Sequence, residues 1–455
     1  MTKNKLICVF SLNQTLHWFI IGLLIPIMAL LQLEKGLDLF QIGLVSAIYG
    51  GTVMLLELPT GGLADTIGRK RVYLISLIVL WCAGLLLLLA GNFTTVIIGF
   101  LFSGVARALS SGSLDAWFVD EFNTIEPEGN LQEALAHVGI FIPAGLGVGS
   151  LVGGLLPMSV GKITAQLPGF GIYSANLLTM NLLIIVQFLL TVILVKEQLH
   201  PDRRSTIWTG LKRFPNVVST SIHYGINNQS ILLLLLSSFA WGIGIVGLEV
   251  LWQPQVKHIL GSDSQTWLFG LLATGYFLAS SVGSLLSTPL CKLFKQNYPR
   301  ILFHTRLFMG LFVFLLALQG HVIGFTWWYW TLFVWNGMSK SPYMAIFNAH
   351  IPESHRSTLL SCQSFFVQFG VLSGSLTMGY IAETFSIPLA WCFAAAILVI
   401  SSLLYVCLPK QTANAPTLGR KRDHVEKKRR TDNHVPFHTA KQDNDTPNTH
   451  ENIHN

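Results

Sequence analysis

Apolar runs long enough to cross a bilayer recur about a dozen times along these 455 residues, and that recurrence constrains the fold more than any other feature. About 20 residues of helix cover the ~30 Å hydrocarbon layer. No water is available there for backbone groups, so each run must close its hydrogen bonds internally as a helix. The runs predict spans at 7–32, 40–63, 72–91, 94–119, 132–157, 171–195, 231–255, 268–291, 300–320, 323–346, 357–381 and 387–408. The fold class is therefore all-α, an integral membrane protein with twelve transmembrane helices. Composition agrees: 11% of residues are charged, against about 25% in soluble domains. The first run is too long for a signal-peptide core and has no clear small-residue cleavage site, so it is read as a retained helix.

A net charge of +7 raises nucleic acid as a partner, but the cations gather in alternate loops, which is a topology signal. Lys3, Lys5, Arg69, Lys70, Arg71, Lys196, Arg203, Arg204, Lys212, Arg213, Lys292, Lys295 and Arg300 fall on one side, leaving Lys35, Lys162 and Lys257 for the other. Both termini are expected in the cytoplasm, and no nucleic-acid partner is expected. The six cysteines lie within or at the edges of spans without CxxC spacing and are read as core residues. No metal and no cofactor is expected. The spans hold no H-E-x-x-H and no carboxylate pair at catalytic spacing, and there is no Walker A sequence, so neither an enzyme nor ATP drive is indicated.

The basic segment 196–230 divides six spans from six. It reads as a cytoplasmic linker, with room for a short amphipathic helix on the membrane surface. The halves echo each other: Gly104-x-x-Arg107 in the fourth span answers Gly337-x-x-Lys340 in the tenth. Gly145, Gly149 and Gly153 in the fifth answer Gly370 and Gly374 in the eleventh. Small residues at four-residue spacing let helices approach closely in lipid. The expected units are 1–195, 196–230, 231–408 and a tail, 409–455, whose polar composition cannot bury a core and is read as disordered.

The segment "TGGLADTIGRKR" (60–71) is the oddest polar stretch of the first hundred residues. With Gly61 or Gly62, Leu63, Asp65, Gly68, Arg69 and Lys70, it resembles the signature loop of the major facilitator superfamily. The resemblance implies two six-helix bundles and transport by alternating access. It also implies a latch holding the outward-facing state, in which Asp65 sits against a helix N-terminus and Arg69 binds an acidic residue at the end of the fourth helix. Asp115 and Asp120 are the candidates, with the eleventh helix, opening at "HRSTLLS", as the receiving element. Gly68 permits a positive φ at the turn. The alternative is a hydrated basic loop that only sets topology. The second-half copy, "TPLCKLFKQNYPR", is degenerate, with Lys292 where an aspartate would fall.

Ionised residues inside a membrane are costly and are functional candidates by default. His17, Arg107, Glu249 and Lys340 lie on spans 1, 4, 7 and 10, which line the central cavity in this superfamily. They are the expected substrate and proton pathway. Structural cations, a packing pair or a satisfied polar core residue are the plainer readings. Arg107 resembles the arginine of the drug-antiporter motif, although Gly112 comes one position late. Gly145, Gly149, Gly153 and Gly154 resemble the antiporter glycine motif with Ser150 in place of its proline, and simple helix packing explains them as well. The function expected from the resemblance is proton-driven export of a small organic molecule, a drug or a secreted metabolite such as a siderophore, across the bacterial plasma membrane by a monomer. Proton-coupled uptake is the alternative, and a non-transporting receptor or scaffold a more distant one.

Overall fold

The structure, a computed structural model, describes residues 2–126, 130–197, 228–261, 265–351 and 356–408, apart from the side chains of residues 58, 61, 62, 65, 66, 136 and 356–358. The tail and almost all of the linker lie outside the described residues. The twelve passes are Lys3–Gly22 continued by Met28–Glu34, Leu39–Ile67, Arg69–Leu88, Phe93–Ser110 continued by Ser113–Ile125, Leu131–Gly139 continued by Phe141–Leu155, Ser174–Leu194, Gln229–Leu260, Thr266–Leu293, Tyr298–Ala317, Val322–His350, Arg356–Thr384 and Ile387–Val406. Eleven described helices are long and apolar enough to cross a bilayer. Val322–His350 has the length at 29 residues, but its tryptophans, Tyr329 and Asn336 make it less apolar. We call the face that holds Lys3 the near face and the face of the 34–39 connection the far face.

Several helices outrun the apolar segments that announce them. The second span has 29 residues and the seventh 32, which at ~1.5 Å per residue exceeds a ~30 Å bilayer by several turns. Hydropathy finds the hydrocarbon crossing, whereas the backbone ladder continues as far as a cap allows. Most of the signature stretch is therefore helix, contrary to the expected loop. Residues 60–67 complete the second span, and the turn is reduced to Gly68, at φ +102° and ψ 142°. The corresponding turn of the second half takes positive φ at Lys295 and Gln296 instead. At the far end Asp38 caps the second span, accepting from Gln41 N at 2.7 Å while Gln41 Oε1 accepts from Asp38 N.

Three expected single helices are broken. Pro26 lies in a short 3₁₀ turn, Ile25–Ile27, in the first span. In the fourth, Gly112 at φ +69° starts a new helix just after Arg107. The fifth breaks at Ile140. Two cysteines also depart from the expected core placement, because Cys8 and Cys407 are exposed.

The glycine rows set which helices touch. A Cβ at Gly145 would meet Thr15 O at 2.6 Å, and one at Gly149 or Gly153 would strike Phe19 O or Leu23 O, so the fifth span lies directly on the backbone of the first. Gly242, Gly370 and Gly374 make the same kind of contact between the seventh and eleventh spans. Gly104 packs on Thr52 of the second span and Gly337 on Ser280 of the eighth. The sequence echo thus falls on equivalent neighbours in the two halves. Gly154 differs, since it meets Gly270 N at 2.7 Å and joins the fifth span to the eighth.

Candidate functional site

A cavity of about 570 Å³ lies between the first six and last six spans. His17, Tyr49 and Arg107 line it from spans 1, 2 and 4, and Glu249, Gln253 and Tyr276 from spans 7 and 8. Three of the four expected intramembrane ionisable residues therefore meet in one chamber. Lys340 does not belong to the lining; its side chain is exposed, within electrostatic reach of Glu249. The backbone at Pro342 and the Gly337 contact fix the course of the tenth span there, and the sequence pattern does not reveal where Lys340 points.

Arg107 sits at the last turn before the break in the fourth span, its guanidinium 5.5 Å from the centre of the Trp18 ring. The Trp18 indole donates to Gln14 Oε1 at 3.1 Å, which leaves Gln14 Nε2 to donate to Asp115 at 2.8 Å. Asp115 is thus tied to the first span, in electrostatic reach of Arg107. That corrects its expected place in the latch.

His17 is 8% exposed and belongs to a second chain of hydrogen bonds. Gln187 Nε2 donates to the Asn13 carbonyl at 3.2 Å and to the Tyr73 hydroxyl at 2.7 Å. Because a carbonyl can only accept, the amide orientation is fixed, and Tyr73, accepting from Gln187, has its own proton available for His17 Nδ1, 3.2 Å away. When Tyr73 donates that proton, the His17 ring proton sits on Nε2. Asn13 is held in turn by Thr191 Oγ1 at 2.8 Å.

The signature turn makes a compact network on the near face. Arg69 pairs with Asp120 at 2.7 Å and also donates to the Ala116 carbonyl. Arg69 N and Lys70 N donate to the Glu197 carboxylate at 2.7 and 3.1 Å. Glu197, which the sequence reading left in the linker, thus caps the third span where its N–H groups and dipole favour an anion. Lys70 Nζ donates to Val192 O at 2.9 Å. The surroundings of Gly62, the Asp65 side chain and the side chains that open the eleventh span lie outside the described residues, so the cross-half part of the expected latch does too.

Sequence reasoning also missed Arg306, an ionised residue inside the ninth span that the membrane-charge argument should have flagged. It is 5% exposed. It donates to Ser237 O and to the Tyr405 hydroxyl, both at 3.1 Å, and lies over the Tyr405 ring. Neutral acceptors hold it in the packing of the second half, away from the cavity lining.

Hydrogen bonds join the halves between the cavity and the far face. Gln253 of the seventh span donates from Nε2 to Ile25 O and accepts from Ala29 N, both at 2.6 Å. Ile25 O and Ala29 N would be i, i+4 partners in an unbroken helix, so the amide occupies the gap at the 3₁₀ turn. Thr266 Oγ1 donates to Gly154 O at 2.7 Å, Thr274 Oγ1 to Gly147 O at 2.9 Å, and Leu39 N to Glu383 at 2.9 Å. Gly43 and Gly379 bring the second and eleventh spans into backbone contact in the same region.

Comparison with known proteins places this geometry. The family model for the Major Facilitator Superfamily matches residues 10–341 and 232–442. The quinolone resistance protein NorA of Staphylococcus aureus is 23% identical over 236 residues, 52% of this chain and 55% of that protein. The match thus spans about half the length of those relatives. The MFS-type transporter YxaM of Bacillus subtilis is 22% identical over 88% of this chain and 96% of its own. Among solved structures, the nucleoside transporter NupG superposes with a TM-score of 0.69 at 13% identity, covering 90% of this chain and 100% of that one. A bacterial homologue of the human lysosomal transporter Spinster, inward-facing and occupied, gives 0.66 at 13% identity, over 88% and 96%. The chain belongs to the Major Facilitator Superfamily.

Proposed function

We propose that this protein is a secondary transporter that exports a small organic molecule by alternating access, driven by protons. The observation that carries the reading is the chamber between the two halves, ionisable on both walls and bonded shut toward the far face by Gln253, Thr266, Thr274 and Glu383. With the cation-rich near face in the cytoplasm, this conformation is inward-open. Binding loads the chamber from inside, and rocking of the bundles against each other breaks the far-side bonds. His17 and Glu249 are the candidate proton-handling groups. The Arg69–Asp120 network, already formed here within the first half, is the part of the near-face latch that the second half would meet in the opposite state.

The similarity to quinolone resistance proteins favours export over uptake. On this reading the protein works as a monomer in the bacterial plasma membrane with both termini cytoplasmic. The test is transport by purified protein in proteoliposomes with and without an imposed proton gradient. Gradient-dependent movement of a drug-like substrate supports the proposal. Movement that ignores the gradient removes the proton coupling, and uptake in the opposite sense reverses the direction.

A further inference from the structure

We propose that the chamber is built for a zwitterionic organic molecule with an aromatic body, its acid group held by Arg107 and the Nε2–H of His17 and its amine held by Glu249. The inference rests on the transporter reading for its physiological meaning, but the binding site stands on the geometry alone. Arg107 and His17 belong to the first half and Glu249 to the second, and all three line the same cavity. Lys340, a cavity candidate from the sequence, is absent from the lining. Arg107 from the first half and Glu249 from the second are then the one guanidinium and the one carboxylate among the lining residues.

Neither charge is closed off by an ion pair among the described residues, although Asp115 lies within electrostatic reach of Arg107 and Lys340 within that of Glu249. Among the described residues the Arg107 guanidinium contacts the Trp18 ring and has no side-chain hydrogen-bond acceptor, and Glu249 is hydrogen-bonded to Tyr276 without an ion pair. A charged group taken out of water needs a partner. A simple anion would give Arg107 an opposite charge and leave Glu249 with only its Tyr276 hydrogen bond, and a simple cation would leave Arg107 with only its Trp18 contact. A molecule carrying both charges satisfies both walls at once, and in doing so it bridges the halves that alternating access must bring together.

The donor side is shaped for an acid group. Arginine offers a planar fork suited to a carboxylate. The chain from Asn13 O through Gln187 leaves the Tyr73 proton available to His17 Nδ1, and that donation puts the ring proton on Nε2, the nitrogen not bonded to Tyr73. Trp252 and Tyr329, with ring centres 5.6 Å apart, supply an aromatic wall beside Glu249. The volume of about 570 Å³ falls within the ~300–1,000 Å³ of pockets that hold drug-sized ligands.

The test uses the full-length purified protein and a panel of aromatic amino-acid derivatives of drug size. Each scaffold is prepared as zwitterion, as methyl ester, as N-acetyl acid and with both groups masked. Dissociation constants are read from tryptophan fluorescence. The zwitterions are expected to bind about 10- to 100-fold tighter than either singly masked form, the range of a charge-assisted hydrogen bond. In Arg107→Gln the zwitterion should fall to the level of its own ester with the ester unmoved, and in Glu249→Gln to the level of its N-acetyl acid. Tyr73→Phe removes the proton that sets the His17 tautomer, so it should weaken the acid-bearing forms only, as a positioning residue. Equal or tighter binding of the masked forms overturns the proposal, as does an equal loss of all forms in the mutants or no binding by any member of the panel. Proteoliposome transport separates the two readings. Zwitterion-selective binding without transport overturns the transporter assignment and leaves the site, whereas transport that ignores charge class overturns the site and leaves the transporter.

Discussion

Replacing Gln253 by leucine removes the amide that joins the seventh span to the gap in the first, at nearly constant volume. Its two bonds to Ile25 O and Ala29 N, both 2.6 Å, cross between the halves, so on the alternating-access reading they break when the far face opens. At about 0.5–1.5 kcal/mol net each, their loss takes about 1–3 kcal/mol from the closed state. If the first span cannot straighten enough for Ile25 O and Ala29 N to pair with each other, each stranded group costs about 1–3 kcal/mol more. The lower figure alone lowers the ratio of far-closed to far-open molecules about fivefold, and 3 kcal/mol lowers it about 150-fold. Thr274→Val deletes one cross-half bond of 2.9 Å and should give about half the free-energy change. The shift is measured by electron–electron double resonance between spin labels at Leu89→Cys and Ile323→Cys. Those positions are 70% and 87% exposed at the far ends of the third and tenth spans. The native cysteines are replaced first. A longer-distance population should grow in Gln253→Leu and grow less in Thr274→Val. Unchanged distance distributions in both variants would refute the claim that these bonds hold the far face shut.

Gly149→Ala places a methyl group against Phe19 O, a rigid backbone atom, and should cost about 1–3 kcal/mol of stability, seen as a lower melting temperature in detergent. Gly147→Ala meets Thr274 Cγ2 at 3.5 Å, an ordinary contact, and should be nearly silent. Glu197→Gln weakens the cap on Arg69 N and Lys70 N and should cost about 0.5–2 kcal/mol in the same melting assay. Asp120→Asn, by contrast, should leave melting almost unmoved, because its pair with Arg69 is 43% exposed on the aspartate side. Reduced vesicle transport with normal expression is its expected signature, and unimpaired transport would remove it from the conformational network. Topology reporters fused at Asn216 and after Gln411 should both read cytoplasmic, and an external signal from either would reverse the assigned orientation.

The number of passes, their order and the signature turn are legible in the chain because each depends on local chemistry. A run of about 20 apolar residues is driven into lipid as a helix whatever surrounds it. The Gly68 turn and the fourfold glycine spacing likewise report backbone demands that a single segment carries with it. The tenth span shows the edge of that legibility, since its tryptophans dilute the average hydropathy although the helix forms. The ends of the helices were less legible. Capping by Asp38 and Gln41, and the continuation of the second span to Ile67, depend on hydrogen bonds that hydropathy does not weigh.

Partnership was decided only by the tertiary structure. Asp115 and Asp120 stand five residues apart and are chemically alike, yet one hydrogen-bonds Gln14 and the other pairs with Arg69. Arg107 and Lys340 occupy echoing positions, yet Arg107 lines the chamber and Lys340 does not. Glu197 and Gln253 carried no motif at all; their roles come from arriving beside a helix start and a helix break built by residues more than a hundred positions away. Insertion into a bilayer is a transfer free energy summed along a segment, so the sequence contains it outright. The neighbour of a buried charge is set by how helices cross, twist and break in three dimensions, and that information exists only once they have packed.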